Sequence, residues 1–439
     1  IYKLKRYNIF MEICSIILSA GKGSRMLSSI PKPLHLISGK TMIQWVIDAN
    51  KSAGIKKSVI VVPQEFDKLD INNKNMIKAI QKKPLGTADA VRKAIPLLKN
   101  FEGIVLICFA DTPFITSKTL KKIVKSFSNG NELVLTGFKK NEKNKYGKII
   151  FDSKKKPREI LEHKDAKKNK VDSNFCNGGI MGIHSSCLKY LNKIKKNSLS
   201  GEYYLTDIVK ILSNENKNIT FIDIDEEEIL GINTQLDLSI AEGISQNIIR
   251  NKAMMNGVKL IDPNSIFINY DTKFGKDVII QPNVVFGNNV VIDSFVEIKS
   301  FSHIEECRIK KGSIIGPYAR IRGETIIGEK SKVGNFVEIK KSNISKKVKI
   351  NHLSYVGDTE IGYSTNIGAG TITCNYDGKN KNNTKIGKNS FVGSNSTIIA
   401  PIKIGDNVTM GAGSVFNKDI PNNNLSIGRA YQINKKKNK

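Results

Sequence analysis

The sequence lacks the features that staple a small secreted protein together or anchor one in a bilayer. Its six cysteines, Cys14, Cys108, Cys176, Cys187, Cys307 and Cys374, stand far apart, with no Cys-x-x-Cys pair and no histidine at zinc-ligand spacing. They read as reduced, mostly buried thiols, and a cytoplasmic protein is expected. The apolar run near the start, Ile13 to Leu18, is far shorter than the roughly 18 residues that span a bilayer. It leads into a glycine loop instead of a small-residue cleavage site, so neither secretion nor membrane insertion is implied. Residues 1–10 (IYKLKRYNIF) precede Met11 and add nothing to the strand pattern that follows.

Acidic residues are also in short supply. Asp+Glu number 40 against 70 Lys+Arg, a formal charge of +30 that invites a nucleic-acid reading, because phosphate contacts dominate such binding. The aromatic signatures of RNA-binding modules are absent, however, and Lys is spread through both halves beside abundant Asn, a bias of the whole sequence instead of a patch. No nucleic-acid partner is expected, although a basic scaffold stands as the alternative that salt-sensitive DNA or RNA binding would reveal.

What is present divides the chain. At 439 residues it is too long for one core of ordinary size. Up to about residue 235, strand-like runs ("EICSIILSA", "SVIVVP", "GIVLICFAD", "ELVLTGF") alternate with stretches of helical spacing such as "TMIQWVIDANKSAG". That alternation argues for an α/β fold with a mostly parallel sheet, and chemistry is sought in the loops after Ile17, Phe109 and Ile183. Residues 236–256 have helical spacing and read as a connecting helix. Beyond them an apolar residue recurs every six: Phe274, Ile280, Phe286, Ile292, Ile298 and Ile304, then Ile315 to Ile339, Ile361 and Ile367, and Ile386 to Met410. A six-residue period marks a parallel β-helix, each repeat forming one side of a triangular coil. The phase is expected to break at His352 and at the polar stretch 373–385, where binding residues are sought.

In the first half, "LSAGKGSRM" follows a strand and carries Gly21, Lys22, Gly23 and Arg25. Glycines let a backbone approach phosphate, and cations offset its charge. "PKPLH" adds Lys32, and "FADTP" ends a later strand at Asp111, a carboxylate suited either to magnesium or to capping the helix that follows. In the second half, His352 is a candidate base for acyl transfer to an amine, with Tyr355, Asn366, Asn375 and Tyr376 nearby in sequence.

In order, "LSAGKGSRM…PKPLH", "PLGTADAV", "FADTP", "KYGKI", "LEHKDA", "NGGIMGI", "GEYYLTDI" and "GINTQLDL" resemble the first domain of the bifunctional N-acetylglucosamine-1-phosphate uridylyltransferase / glucosamine-1-phosphate N-acetyltransferase family. "GPYARIR", "VGNFVEIKK", "NHLSYVGD" and "NIGAGTITCNYDG" resemble its second. The resemblance implies a Rossmann-like nucleotidyltransferase domain over 11–235, the connecting helix, a left-handed parallel β-helix over 257–430 and a basic tail, 431–439. It implies that Leu18, Ser19, Ala20, Gly21, Gln81, Gly86 and Thr87 hold the nucleotide, that Arg25 and Lys32 stabilise phosphate charge, and that Asp111 and Asn233 hold Mg2+. Gly147, Glu162 and Asn177 would contact the sugar. In the second domain, Arg322 and Lys340 would bind the sugar phosphate, Tyr355 and Asn366 the sugar, and His352 would be the base. Ala369, Asn375, Tyr376, Ser394, Ala412 and Arg429 would line the acetyl-CoA site, with a backbone amide near Ala369 facing the oxyanion.

The implied substrates are UTP, acetyl-CoA and glucosamine-1-phosphate, in a homotrimer that supplies precursors of peptidoglycan and lipopolysaccharide. Three departures stand out: Phe109-Ala110-Asp111 replaces Tyr-Gly-Asp, Tyr146-Gly147-Lys148 replaces Tyr-Gly-Arg, and Asn351 replaces the glycine before the base. A nucleotidyltransferase for another sugar, with the β-helix as a regulatory scaffold, is the alternative enzyme.

Overall fold

The computed structural model describes residues 11–21, 23–66, 76–140, 144, 146–163, 173–198 and 200–436. The chain forms two compact units, Ile1–Ala241 and Glu242–Lys439.

The first unit is built on nine strands: β1 (Glu12–Leu18), β2 (Lys57–Pro63), β3 (Met76–Gln81), β4 (Gly103–Phe109), β5 (Leu133–Lys139), β6 (Lys148–Phe151), β7 (Pro157–Leu161), β8 (Phe175–His184) and β9 (Ile219–Asp223). Their order is β9-β5-β8-β4-β1-β2-β3, with β6 paired to β8 and β7. β4, β1, β2 and β3 are mutually parallel, as are β5 and β9. β1 is buried over its last five residues. Alternation sends Cys14, Ile16 and Leu18 into one core layer and Ile17 into the other, the pattern of a central strand covered on both faces. The helices that cover it include α1 (Met42–Ser52) and α2 (Ser117–Ser126), each begun by a threonine, Thr41 and Thr116, whose hydroxyl accepts a backbone N–H of the first turn.

β8 runs antiparallel to β4 and β5. The loop after Ile183 therefore lies at the opposite edge from the ends of β1, β3 and β4, and it is the start of β8, at Asn177, that comes to the chemical edge. The sequence shows where a strand is, but its direction is set by the antiparallel β6–β7 hairpin that precedes it.

The second unit is a solenoid of three parallel sheets with ten, nine and eight strands. On the first face Ile280, Ile298, Ile315, Val333, Ile350, Ile367, Val392 and Met410 stack in register, all buried. The second and third faces are lined likewise by Ile304, Ile321, Ile339 and Val356, and by Ile292, Ile309, Ile327, Ile344 and Ile361. Each coil shares one continuous core with its neighbours, so no single coil is stable alone. Left-handed backbone recurs at the corners and is often supplied by asparagine, as at Asn283, Asn289, Asn389, Asn395 and Asn407. The abundant Asn thus has a local use beyond compositional bias.

A long helix, Gln235–Met255, leads into the solenoid. Gln246 closes the open end of the first coil, its amide donating to the Ile268 carbonyl and accepting from the Ile268 N–H, both at 2.9 Å. It stands in for the missing neighbour strand. Among the described residues no helix is long and apolar enough to cross a membrane.

The phase of the coils corrects the expectation at His352. Ile350 to Val356 keeps the step of six. The shortened steps of five are Ile304–Ile309, Ile339–Ile344 and Val356–Ile361, all at the corner between the second and third faces. The long insert, between Thr373 and Ile386, sits at that same corner. A length change is tolerated there because a corner, unlike a strand, has no register with the coil above.

Candidate active sites

In the first unit, the parallel strands end together and leave a cleft of about 410 Å³. Of the residues anticipated from sequence, Leu18, Ser19, Ala20, Gly21, Lys32, Gln81, Gly86, Thr87, Asp111 and Glu162 line it. Gln81 is 4% exposed, and its side-chain N–H groups are engaged by the Gly86 carbonyl (3.2 Å) and Asp89 (2.7 Å).

The loop after β1 is fitted to Lys32. Gly23 has φ +62°, and a β-carbon there would lie 2.7 Å from the Lys32 β-carbon, so the lysine stem can pass only because the residue is glycine. Lys22 lies outside the described residues. The Lys32 ammonium donates to Asp111 and, at 2.8 Å, to the side-chain oxygen of Asn233, which also accepts from Arg25 at 2.8 Å. Residues 25, 32, 111 and 233, distant in sequence, thus form one network. Asp111 does not cap α2; Thr116 does.

Asn233 is held by the start of the long helix. Asp237 accepts the N–H groups of both Asn233 and Thr234 at 2.9 Å, and Thr234 accepts the Asp237 N–H in return. Burial pushes the Asp237 carboxyl up, but those N–H groups and the Thr234 hydroxyl more than offset it, and the group titrates below its usual value.

Gly147 and Asn177 meet beside the cleft without lining it. The Asn177 N–H donates to the Gly147 carbonyl at 2.8 Å, and the Asn177 side chain accepts the Gly179 N–H at 3.0 Å. Glu162 accepts from the Thr206 hydroxyl at 2.8 Å. The departures resolve differently. Ala110 is 1% exposed and its N–H donates to the Leu18 carbonyl, so its methyl is packed within the wall. Lys148 turns to the Cys176 sulfur, 3.3 Å away.

Glu202 and Tyr204 also line the cleft and were missed as site residues. Their segment is tied to the turn at Gly86 by Tyr203, whose N–H donates to the Leu85 carbonyl and whose own carbonyl accepts from Ala88. The string "GEYYLTDI" was the available signal; nothing in it pairs residue 203 with residue 86.

In the second unit, five coils contribute one residue each to a column: Asn335, His352, Ala369, Ser394 and Ala412, each two positions after the inward residue of the first face. Their carbonyls are tied along the column, Asn335 accepting from the Leu353 N–H, His352 from Gly370, Ala369 from Asn395 and Ser394 from Gly413, while Arg429 donates to Ala412. Arg429 is therefore bound to the solenoid and is no ordinary tail charge. Asn351 is extended; the left-handed residue of its corner is Leu353 (φ 48°), so the substitution for glycine brings no backbone strain.

Arg322, Lys340 and Tyr355 belong to the second face. Arg322 pairs with Glu338 at 2.7 Å and is in register with Lys340. The insert supplies a cation that sequence reasoning missed: the Lys381 side chain, at hydrogen-bond reach, holds the Lys340 ammonium below its usual range, and Arg322 adds to the repulsion. Three cations converge where a dianion would relieve them. Asn375 donates to Asp358, and the exposed Tyr376 donates to the Gly378 carbonyl at 2.7 Å while bridging Lys381 through the backbone. Asn366 lies on the first face, beside the column. The anticipated residues run from the corner that ends the first face, across the second face, to the insert at the next corner, and are spread over an open surface, in contrast to the cleft.

A parallel-sheet cleft with a cation network, followed by a six-residue-repeat solenoid, defines a nucleotidyltransferase joined to a hexapeptide transferase. The nucleotidyl transferase family matches residues 14–227, and the bacterial transferase hexapeptide family (six repeats) matches 306–341 and 383–418. Over its length the chain is similar to the bifunctional protein GlmU of Wolbachia pipientis wMel, at 42% identity covering 96% of this chain and 98% of that one. It is similar also to those of Clostridium kluyveri (40%; 97% and 98%) and Zymomonas mobilis (39%; 96% and 95%). The chain belongs to the bifunctional GlmU family, and it is an enzyme with uridylyltransferase and acetyltransferase halves in UDP-N-acetylglucosamine synthesis.

Proposed function

We propose that residues 257–430 acetylate glucosamine-1-phosphate with acetyl-CoA, and that residues 11–235, reached through the helix 236–256, couple the product to UTP and release pyrophosphate. The observation that carries the first reaction is the His352 column, with the cation triad of Arg322, Lys340 and Lys381 on the adjoining face. The triad holds the sugar phosphate, and Tyr355 and Asn366 orient the sugar. His352 takes a proton from the attacking amine as the carbon–nitrogen bond forms and the thioester carbon–sulfur bond breaks. Ala369, Ser394, Ala412, Asn375, Tyr376 and Arg429 receive the acetyl-CoA, and a backbone amide near Ala369 faces the oxyanion. Because these groups lie on an open surface, a homotrimer, in which a second copy covers them, suits the site.

In the cleft, Leu18, Ser19, Ala20, Gly21, Gln81, Gly86 and Thr87 seat the uridine nucleotide, and Gly147, Glu162 and Asn177 meet the sugar. Arg25 and Lys32 offset charge as a sugar-phosphate oxygen attacks the α-phosphorus in line and pyrophosphate leaves. Asp111 and Asn233 direct side-chain oxygens at a single ammonium, so they converge as a hard divalent cation requires, and they would hold Mg2+. Bound there, the ion would clamp and neutralise phosphate oxygens. Six free cysteines fit a reducing cytoplasm, and the product fits a role in peptidoglycan and lipopolysaccharide precursors.

The test supplies glucosamine-1-phosphate, acetyl-CoA, UTP and Mg2+ together and follows thiol and pyrophosphate separately. Both should appear, pyrophosphate depending on acetyl-CoA. Thiol without pyrophosphate would remove the assignment of the first unit; pyrophosphate without thiol would favour a β-helix that serves only as a scaffold.

A further inference from the structure

We infer that Asn335 is the positioning residue of the acetyltransferase, holding the His352 imidazole in the tautomer whose Nε2 is the base. The inference rests on His352 being that base. Asn335 Oδ1 lies 2.7 Å from His352 Nδ1. An amide oxygen only accepts, so the shared proton belongs to Nδ1, and the lone pair of the neutral ring is on Nε2. With the proton on Nε2 instead, the ring could not take one from an amine at that atom.

The solenoid makes this pairing a matter of register. Asn335 and His352 occupy the same position on successive coils. Their approach is set one residue earlier: a β-carbon on Gly334 would lie 1.9 Å from the Asn351 carbonyl oxygen, so only glycine lets the two coils come this close. The backbone of His352 is fastened on both sides, its carbonyl accepting from the Ser354 hydroxyl at 2.8 Å, and the next residue, Leu353, donating to the Asn335 carbonyl at 3.0 Å. The ring is solvent-exposed, so a hydrogen bond is the means the solenoid has of orienting it. Among the described residues no carboxylate ion-pairs with it; the only ion pair involving histidine is His303 with Glu305. Asn335 therefore orients the ring without supplying the charge that a carboxylate partner would.

The experiment compares Asn335→Ala, Asn335→Asp and His352→Ala in the full chain, reading thiol release over both substrate concentrations. Pyrophosphate formation from supplied N-acetylglucosamine-1-phosphate serves as the folding control. Asn335→Ala should lower kcat for acetyl transfer by about tenfold or more, a part of what a general base contributes. KM for both substrates should stay within about twofold. Asn335→Asp, which accepts through either oxygen, should keep kcat within about threefold of the parent. If Asn335→Ala keeps the parent kcat, or Asn335→Asp falls as far as the alanine variant, the positioning role is wrong. If His352→Ala is inactive while Asn335→Ala is not, the base stands and only this inference fails. Undiminished transfer by His352→Ala would overturn both.

Discussion

The two sites of this protein are assembled by opposite means. In the first unit, residues 18, 32, 81, 111 and 162 are drawn from the ends of separate elements into one cleft, and Asp111 shares the Lys32 ammonium with Asn233. In the second, Asn335, His352, Ala369, Ser394 and Ala412 climb an exposed corner at steps of 17, 17, 25 and 18 residues. A sheet edge concentrates groups that are remote in sequence, whereas a solenoid converts sequence spacing directly into height. The cleft therefore depends on cross-links between loops, and the column depends on register.

The contrast can be broken first at the cation network. Asp111→Ala should lower pyrophosphate formation by about 100-fold to 1,000-fold, the scale of losing one preorganised charge partner. Thiol release should be untouched; equal losses in both assays would show that the two units do not act separately. His352→Ala is the converse, with acetyl transfer falling about 100-fold or more and pyrophosphate formation from supplied N-acetylglucosamine-1-phosphate unchanged. Lys381→Ala sharpens the comparison within the solenoid, because the insert is the one part of that site not fixed by register. It should raise KM for glucosamine-1-phosphate about tenfold, as expected for one charge-assisted contact of about 1.4 kcal/mol, and leave kcat nearly unchanged. A loss confined to kcat would remove Lys381 from the phosphate site.

The smallest effect concerns the loop that carries Asn233. The Asp237 carboxyl is depressed in the folded state, so its contribution to stability is present above the ordinary Asp value of about 3.9. It is lost as pH falls through the lower folded value. Asp237→Asn should cost about 1 kcal/mol near neutrality, the scale of a helix cap. The melting temperatures of variant and parent should converge as pH falls below 3.9. A gap that persists in acid would show that geometry, not charge, holds the loop.

How much was legible followed from the same contrast. The six-residue period gave the solenoid its three faces, and the insert at 373–385 was visible as a break. The shortened steps at Ile339–Ile344 and Val356–Ile361 were not assigned to a corner, because apolar spacing says which residues point inward and not where a coil turns. The direction of β8 and the contribution of Glu202 and Tyr204 were illegible for a related reason: pairing between segments far apart in sequence, such as Phe175 with Lys139 or Tyr203 with Leu85, leaves no periodic trace. Motif order did collect nearly all the cleft residues, but their grouping around Lys32 was visible only once the strands were aligned.

By itself the sequence determined the two architectures, since burial of apolar strand runs that alternate with helical stretches, and of a 6-residue repeat, leaves each little choice of fold. It also supplied the chemistry available at each site. Only the tertiary structure decided which side chain meets which: that Lys32 bridges Asp111 and Asn233, that Lys381 reaches Lys340, and that His352 faces Asn335. Hydrogen bonds and ion pairs act over a few ångströms, and chain packing alone sets distances that fine between residues far apart in sequence.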